Sequence, residues 1–395
     1  MTKQVLYFNK EKWKSIPLGK LAYEFSERIN DPEKSGFTRF VGLEHFISGD
    51  LKIIKYASTK GLVSAAKIFK SGDILFARRN TYLKRASQVD FSGVCSGDAF
   101  VLREKDEYIV PGFFSLIVNS DLIWKFANSN SEGTMSKRVK WRDLEGLNFL
   151  IPSIPEQKGI MALINALEIS LTLSHQILEK AIILKDSFTQ QTLFKDESVE
   201  RKKYKIGDII SNVVAGTSIN CEKHKFEEGD KGILKTSSIT GDTFVYEEVK
   251  VVNPEHYEKL KCNVKEGCIL FNRKNTKQLV GSSKYMDKSY ENIYLPDLIW
   301  SIKVDDKVVI PKFLWFYLSS KKVREDIASL SNGTNASMVN ISQKQFLKMP
   351  VFIPSKAQQK IYLKEFESIE EIIYDSQVKI KRIKALRKAI INQVF

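Results

Sequence analysis

Cysteine is scarce in this chain. Four residues in 395 (Cys95, Cys221, Cys262 and Cys268) exclude a scaffold built on disulfides. A zinc set can be drawn from Cys221, His224, Cys262 and Cys268, but its Cys-x2-His and Cys-x5-Cys spacings are not a usual ligand pattern, so these are read as ordinary core or surface residues. No uninterrupted apolar run reaches the roughly 18 residues of a membrane helix, and Met1 to Lys10 is mixed and polar, without the shape of a signal peptide. The expectation is a soluble, cytoplasmic protein with no membrane partner. Gly-x-Gly-x-x-Gly and Walker loops are missing. So is the Asn-Pro-Pro-Tyr or Asp-Pro-Pro-Tyr motif of base methylation, of which Asn253-Pro254-Glu255 is only a partial echo. Acidic residues fall short of basic ones, 47 against 62, leaving a net charge of +15. That excess attracts polyanions through counterion release, although a merely basic soluble protein fits the same number.

What is present is a duplication. Gly72-Asp-Ile-Leu-Phe-Ala-Arg-Arg-Asn-Thr81 is echoed by Gly267-Cys-Ile-Leu-Phe-Asn-Arg-Lys-Asn-Thr276, with seven of ten positions identical. Val110-Pro111-Gly-Phe113 returns as Ile310-Pro311-Lys-Phe313, and Ser131-Glu-Gly-Thr134 as Ser331-Asn-Gly-Thr334. Ile151-Pro-Ser153 with Gln157-Lys158 returns as Ile353-Pro-Ser355 with Gln359-Lys360. The blocks keep their order at a period near 200 residues, so the repeat is a duplicated domain rather than a solenoid.

Each copy has two parts. The first mixes short strands after glycine-containing turns (Ile74–Phe76, Phe100–Leu102, Ile269–Phe271) with helices expected over Phe113–Asn128 and Phe313–Leu330, an α+β class. The second is a long helix. Ile160, Ile164, Leu167, Leu171, Ser174, Leu178 and Ala181 follow 4-3 spacing, as do Tyr362, Phe366, Ile369, Ile373, Ser376, Ile380 and Ile383. Sustained 4-3 spacing is the seam of a coiled coil. The expected fold is therefore two similar α+β domains separated by two long helices, paired as an antiparallel coiled coil about a pseudo-twofold axis where Ser174 and Ser376 meet. The expected boundaries are 1–154 for the first domain, 155–196 for the central helix, 197–355 for the second domain and 356–395 for the C-terminal helix.

Two similar domains on a stiff rod suit a target with two halves, such as duplex DNA read at half-sites. The candidate contacts are basic residues after a strand: Arg78, Arg79, Asn80, Lys84 and Arg85 in the first copy, Arg273, Lys274, Asn275 and Lys277 in the second. Arg and Lys bind phosphate and guanine edges, and Asn can pair with adenine. Lys137, Arg138 and Lys140, near Trp141, form a further basic cluster, less basic in the second copy at Ala336, Ser337, Met338 and Asn340. Thr236 and Ser237, before Gly241-Asp242, align with the Gly42–His45 segment before Gly49-Asp50 and can also reach base edges. Solvated charged faces and plain turn chemistry account for the same residues.

The ordered blocks Gly-Asp-Ile-Leu-Phe-x-x-Arg, Gly-Thr-x4-Val and Ile-Pro-Ser-x-x-x-Gln, each followed by a long helix, resemble the specificity subunit of type I restriction-modification systems over essentially the whole chain. Pro155-Glu156-Gln157 is similar to the family's Pro-x-x-Glu-Gln boundary, from which Ala357-Gln358-Gln359 departs. The resemblance implies two target-recognition domains, each reading half of a bipartite site in double-stranded DNA, and helices that set the gap. It implies two modification subunits on the exposed faces of Glu168 to Lys185 and Glu370 to Lys388, with restriction subunits joining them. S-adenosylmethionine, ATP and magnesium would belong to those partners, and this chain would hold no cofactor and perform no catalysis. Three other readings stand beside this one. Asp297, Asp305 and Lys307 imitate a nuclease pattern at too short a spacing, with Asp98 in the place of Asp297 in the first copy. A coiled-coil adaptor without DNA binding fits the helices. The specificity subunit of a related, non-type-I restriction system fits the whole.

Overall fold

The computed structural model describes residues 8–222, 225–241, 244–335 and 338–395. Packing divides the chain into two compact units, one of residues 1–176 with 376–395 and one of residues 177–375. The division passes through both long helices, not at their ends.

In the first unit an antiparallel sheet runs in the order Ala22–Phe25, Ala99–Glu104, Ile74–Ala77, Ala86–Gln88. A second sheet has the order Arg28–Ile29, Ala66–Phe69, Gly93–Cys95, Arg39–Val41, Ala57–Ser58, with one parallel pair between Arg39–Val41 and Gly93–Cys95. Lys14–Pro17 pairs with Asn148–Ile151 to close the domain at the start of the long helix. The Ile74–Ala77 strand is buried along its whole length, its even positions facing one cluster (Ile74, Phe76, Phe100, Trp124) and Leu75 facing the other (Val41, Phe69, Val101). This two-sided burial explains why its sequence is a continuous apolar run.

The second unit repeats the plan. Its antiparallel sheet runs Ile210–Ala215, Ile299–Val304, Ile269–Asn272, Ser283–Tyr285, and its five-stranded sheet again contains one parallel pair, Gly232–Leu234 with Tyr290–Tyr294. Arg201–Lys205 pairs with Pro350–Pro354. Two similar α+β parts, expected from the duplicated blocks, are what the structure contains.

The helices expected over Phe113–Asn128 and Phe313–Leu330 are each broken in two. Phe114–Ile117 precedes Asp121–Ser129, and Pro311–Ser319 precedes Lys321–Leu330. The break falls at equivalent serines, Ser120 and Ser320, both extended at ψ near 151° and 142°. Each hydroxyl donates back to the preceding turn, Ser120 Oγ to Ile117 O at 2.8 Å and Ser320 Oγ to Tyr317 O at 2.7 Å. Serine competes for backbone groups in this way and favours a helix cap over a helix interior.

The first long helix covers Ile154–Gln190 and continues as a π-helical turn, Gln191–Lys195; the second covers Lys356–Val394. The expected seam residues are buried or half-buried in both. Within the first unit Ile160 and Ile164 join Ile390, Ile391 and Val394 in one cluster, and Glu168 pairs with Arg387. Within the second, Ala181 packs with Ile369 and Ile373, and Lys185 pairs with Glu370. In each unit rising numbers on one helix meet falling numbers on the other, so the segments run antiparallel. Ser174 and Ser376 are both buried, and Ser174 Oγ donates to Ser170 O at 2.7 Å.

Ile154–Lys195 is the one helix among the described residues with the length and composition to cross a membrane, at a mean hydropathy of 1.3 over 18 residues. Counting uninterrupted runs misses it, because polar residues are interspersed. Besides its packed seam it exposes Ile169, Leu173 and Ile177 at four-residue spacing.

Candidate nucleic-acid interface

Each post-strand loop is positioned by the buried strand before it. In the first unit Ile74–Ala77 ends at the edge of the core, and Arg78 N donates to Asp98 O at 3.0 Å. Asn80 and Lys84 take left-handed conformations (φ 54° and 49°). Such backbone is uncommon outside glycine, and asparagine tolerates it best. The resulting hook is tied down inside by Thr81, whose Oγ1 lies 2.6 Å from Asn128 Oδ1 and 2.9 Å from Ser131 Oγ. Ser131 opens the Ser-x-Gly-Thr repeat block, which explains why that block travels with the loop in this copy.

Two clusters separated by about 60 residues of sequence come together here. Asn80 N donates to Lys137 O at 3.0 Å, Val139 N donates to Arg78 O at 3.0 Å, and Arg79 Nε donates to Ser136 Oγ at 3.0 Å. Asp98 sits between the two basic groups, accepting from Arg138 Nε at 2.8 Å and Arg79 NH1 at 3.4 Å. The hydrogen bond from Arg138, supported by its charge and by Arg79, holds the Asp98 carboxyl below the usual carboxylate range against the opposing effect of burial. Two guanidiniums share one carboxylate, so the group keeps a net positive charge. Lys137 adds an exposed ammonium with no acidic partner among the described residues.

The remaining candidates divide. Lys84 Nζ pairs with Asp121 Oδ1 at 2.7 Å, and Lys140 pairs with Glu132. Arg78 lies over the Phe100 ring at 5.3 Å. Arg85 does not join the exposed group: its guanidinium donates inward to Leu43 O at 3.0 Å and Arg79 O at 3.3 Å. In doing so it ties the post-strand loop to the Leu43–His45 turn, so those two candidate regions are neighbours in this unit.

In the second unit Arg273 N donates to Leu298 O at 3.0 Å, and Ile341 N donates to Arg273 O at 3.0 Å. Arg273 Nε donates to Asp297 O at 2.7 Å, its NH2 lies 3.6 Å from Asp297 Oδ2, and its NH1 reaches Asn340 Oδ1 at 3.4 Å. The backbone register equates Asp98 with Leu298, not with Asp297 as the sequences of the two copies suggest; the two carboxylates serve their arginines from adjacent positions. Lys274 and Asn275 form a short strand paired with Met338–Asn340. Lys274 and Lys277 have no acidic partner among the described residues, and Lys277 is exposed. Thr236 and Ser237 open a 3-10 turn, Thr236–Ile239, packed against the Ile269–Asn272 strand. Ser237 Oγ donates to Glu248 Oε2 at 3.1 Å, a carboxylate also held by Lys235 at 3.2 Å. Asp242, Ala336 and Ser337 lie outside the described residues.

The nuclease imitation has a different explanation. Asp297 serves Arg273, and Asp305 Oδ1 accepts from Lys307 N at 3.1 Å within one turn. Of the drawn zinc set, His224 lies outside the described residues, and burial raises the Cys262 thiol. Among the described residues no three His, Cys, Asp or Glu side chains converge as metal ligands would.

The role of the Ile-Pro-Ser-x-x-x-Gln block escapes a reading of the sequence. Gln157, fully buried, accepts from Val110 N at 2.8 Å and donates to Tyr108 O and Pro152 O at 2.8 and 2.9 Å. Gln359 does the same for Ile310 N at 2.8 Å, Val308 O at 3.2 Å and Pro354 O at 2.9 Å. Each glutamine clamps a long helix to its own domain. The exact return of this residue at the same place in both copies is the signal that marks it.

Residues 198–384 match the family described as the type I restriction modification DNA specificity domain. The chain is 26% identical over 168 residues to the type I restriction enzyme EcoEI specificity subunit of Escherichia coli, a stretch that covers 42% of this chain and 28% of that protein. It is 21% identical over 363 residues to the EcoKI specificity subunit of Escherichia coli strain K12, covering 85% of this chain and 76% of that one. The fold matches the crystal structure of a type I restriction-modification S subunit from M. genitalium, with a TM-score of 0.61 at 14% identity over 99% of this chain and 98% of that one. The matched family is a DNA specificity domain, and both relatives are specificity subunits. Residues 198–384 are thus similar to the type I restriction modification DNA specificity domain, and the chain as a whole shares the fold of an S subunit of such a system.

Proposed function

We propose that this chain is the cytoplasmic DNA-reading subunit of a type I restriction-modification complex, each domain reading one half of a bipartite site. The observation that carries the reading is the same partly exposed basic loop, Arg78 to Arg85 and Arg273 to Lys277, set after the same buried strand in two domains that each grip a long helix. The first-domain contacts are Arg79, Asn80, Lys137 and Arg138, with Arg78, Lys84 and Lys140 beside them and Arg85 as a support. The second-domain contacts are Arg273, Lys274, Asn275 and Lys277, with Thr236 and Ser237. The helices set the unread gap. The exposed stripe Ile169, Leu173 and Ile177 supports docking of modification subunits there, rather than burial in lipid. Those two subunits and the restriction subunits carry S-adenosylmethionine, ATP and magnesium.

The test is DNA binding in the presence of the modification subunit, at two salt concentrations. Arg78→Ala with Arg79→Ala weakens discrimination at one half-site only, and Arg273→Ala with Lys274→Ala at the other, each by about 1–3 kcal/mol for every base edge no longer read. Inserting about one heptad, roughly 10 Å, in either helix changes the tolerated gap. Wild-type behaviour of both double mutants removes the loops from the interface. Absence of any salt-dependent DNA affinity favours the adaptor reading instead.

A further inference from the structure

The second unit contains a cavity of about 560 Å³ that no reading loop occupies. Thr217, Ser218, Asn220, His256, Lys259 and Lys261 supply its polar lining, with Glu258 the one carboxylate among the lining residues. Two of these polar atoms, Thr217 Oγ1 and His256 Nδ1, are buried and have no hydrogen-bond partner among the described residues. A buried polar group left unmatched costs free energy, so each such group in a folded protein asks for an explanation. Two hydroxyls, an amide, an imidazole and two ammonium groups around one opening are donors, and the charge they carry is mainly positive. His256 Nε2 already faces Glu255 Oε1 at 3.4 Å.

The cavity wall is tied to the reading loop. Thr217 N donates to Leu295 O at 3.1 Å, and a few residues on Asp297 and Leu298 hold Arg273. The approach is close: a Cβ on Gly216 would lie 1.6 Å from Leu295 O, so only glycine lets these two backbones meet.

We infer that this cavity is a phosphate site, which in the complex takes a phosphodiester of the DNA backbone beside the half-site read by the Arg273 loop. This rests on the DNA-reading role proposed above. Its chemistry is that of a position-setting contact: lysine and hydroxyl donors on phosphate oxygens, with no base edge engaged.

The test uses the full chain with its modification subunit and a duplex carrying both half-sites. Thr217→Val, and Lys259→Ala with Lys261→Ala, are compared with Arg273→Ala; melting curves confirm that each variant is folded. The double lysine variant is expected to reduce the slope of log affinity against log salt by about one, at roughly 0.9 for the one phosphate no longer neutralised, with base preference unchanged. Arg273→Ala is expected to change base preference. If Arg273→Ala has its effect while the cavity variants keep wild-type affinity and slope, the phosphate site is overturned and the reading role stands. If the wild-type complex binds no DNA, the reading role falls, and titration with inorganic phosphate followed by phosphorus NMR decides the site. Binding that Thr217→Val abolishes supports a site for free phosphate, and no binding overturns it.

Discussion

Lys185 of the first long helix and Glu370 of the second lie 2.6 Å apart, and Glu168 and Arg387 repeat the pair with the helices exchanged. Glu168 and Glu370 stand 202 residues apart, as do Lys185 and Arg387, so the duplication is written into the helix register as well as the domains. The two pairs are not equal. Lys185 and Glu370 are each about a third exposed, and Glu370 Oε1 is not aligned for a hydrogen bond. Arg387 is 4% exposed and also donates to Gly49 O, while Asp50 lies within reach of both Arg387 and Lys384.

That difference sets the first prediction. Arg387→Ala leaves Glu168 and Gly49 O without their partner in a buried setting and should cost about 3–5 kcal/mol. Lys185→Ala, at a screened surface pair, should cost no more than about 1 kcal/mol. Urea denaturation of the two variants checks this, and equal losses would refute the assigned asymmetry.

The clamping glutamines give the second. Gln157→Ala strands Val110 N and two carbonyls, and Gln359→Ala does the same in the other unit; each should lose about 3 kcal/mol. Gln157→Glu should not restore stability, since its added oxygen faces the carbonyls of Tyr108 and Pro152. A rescue by glutamate would show that these hydrogen bonds are not what the position requires.

The third concerns pH. The Asp98 carboxyl is held below its ordinary range, chiefly by the hydrogen bond from Arg138. A depressed folded value means that the stabilisation is complete above the unfolded value of about 3.9 and is lost as pH falls through the lower folded one. Melting temperature should therefore be insensitive to Asp98 ionisation between pH 7 and 5. Below about pH 4 the wild type should fall more steeply than Asp98→Asn, and parallel acid limbs would contradict the assignment.

Much of the fold was legible because repetition and period are properties of one dimension. The Gly72 and Gly267 blocks announced two equivalent strands, and 4-3 spacing announced the helices, since burial along a seam demands apolar residues at those intervals. The broken helices at Ser120 and Ser320 were not legible in the same way: their apolar content continues across the break, and only the hydroxyl's bond to the preceding turn ends the helix. The basic residues were found by composition, but composition could not sort them. Arg85 and Lys137 look alike in sequence, yet one is spent on backbone carbonyls and the other is free at the surface.

By itself, then, the order of residues determined the duplication, the α+β class, the paired rods and the positive charge, because each follows from spacing or from counting. Only the tertiary structure decided that Asp98 joins Arg79 to Arg138, that Gln157 and Gln359 clamp the helices, and that Thr217 and His256 line one cavity. Those relationships arise between segments far apart in the chain, where position in space, burial and hydrogen-bond geometry, not residue type, set what a side chain does.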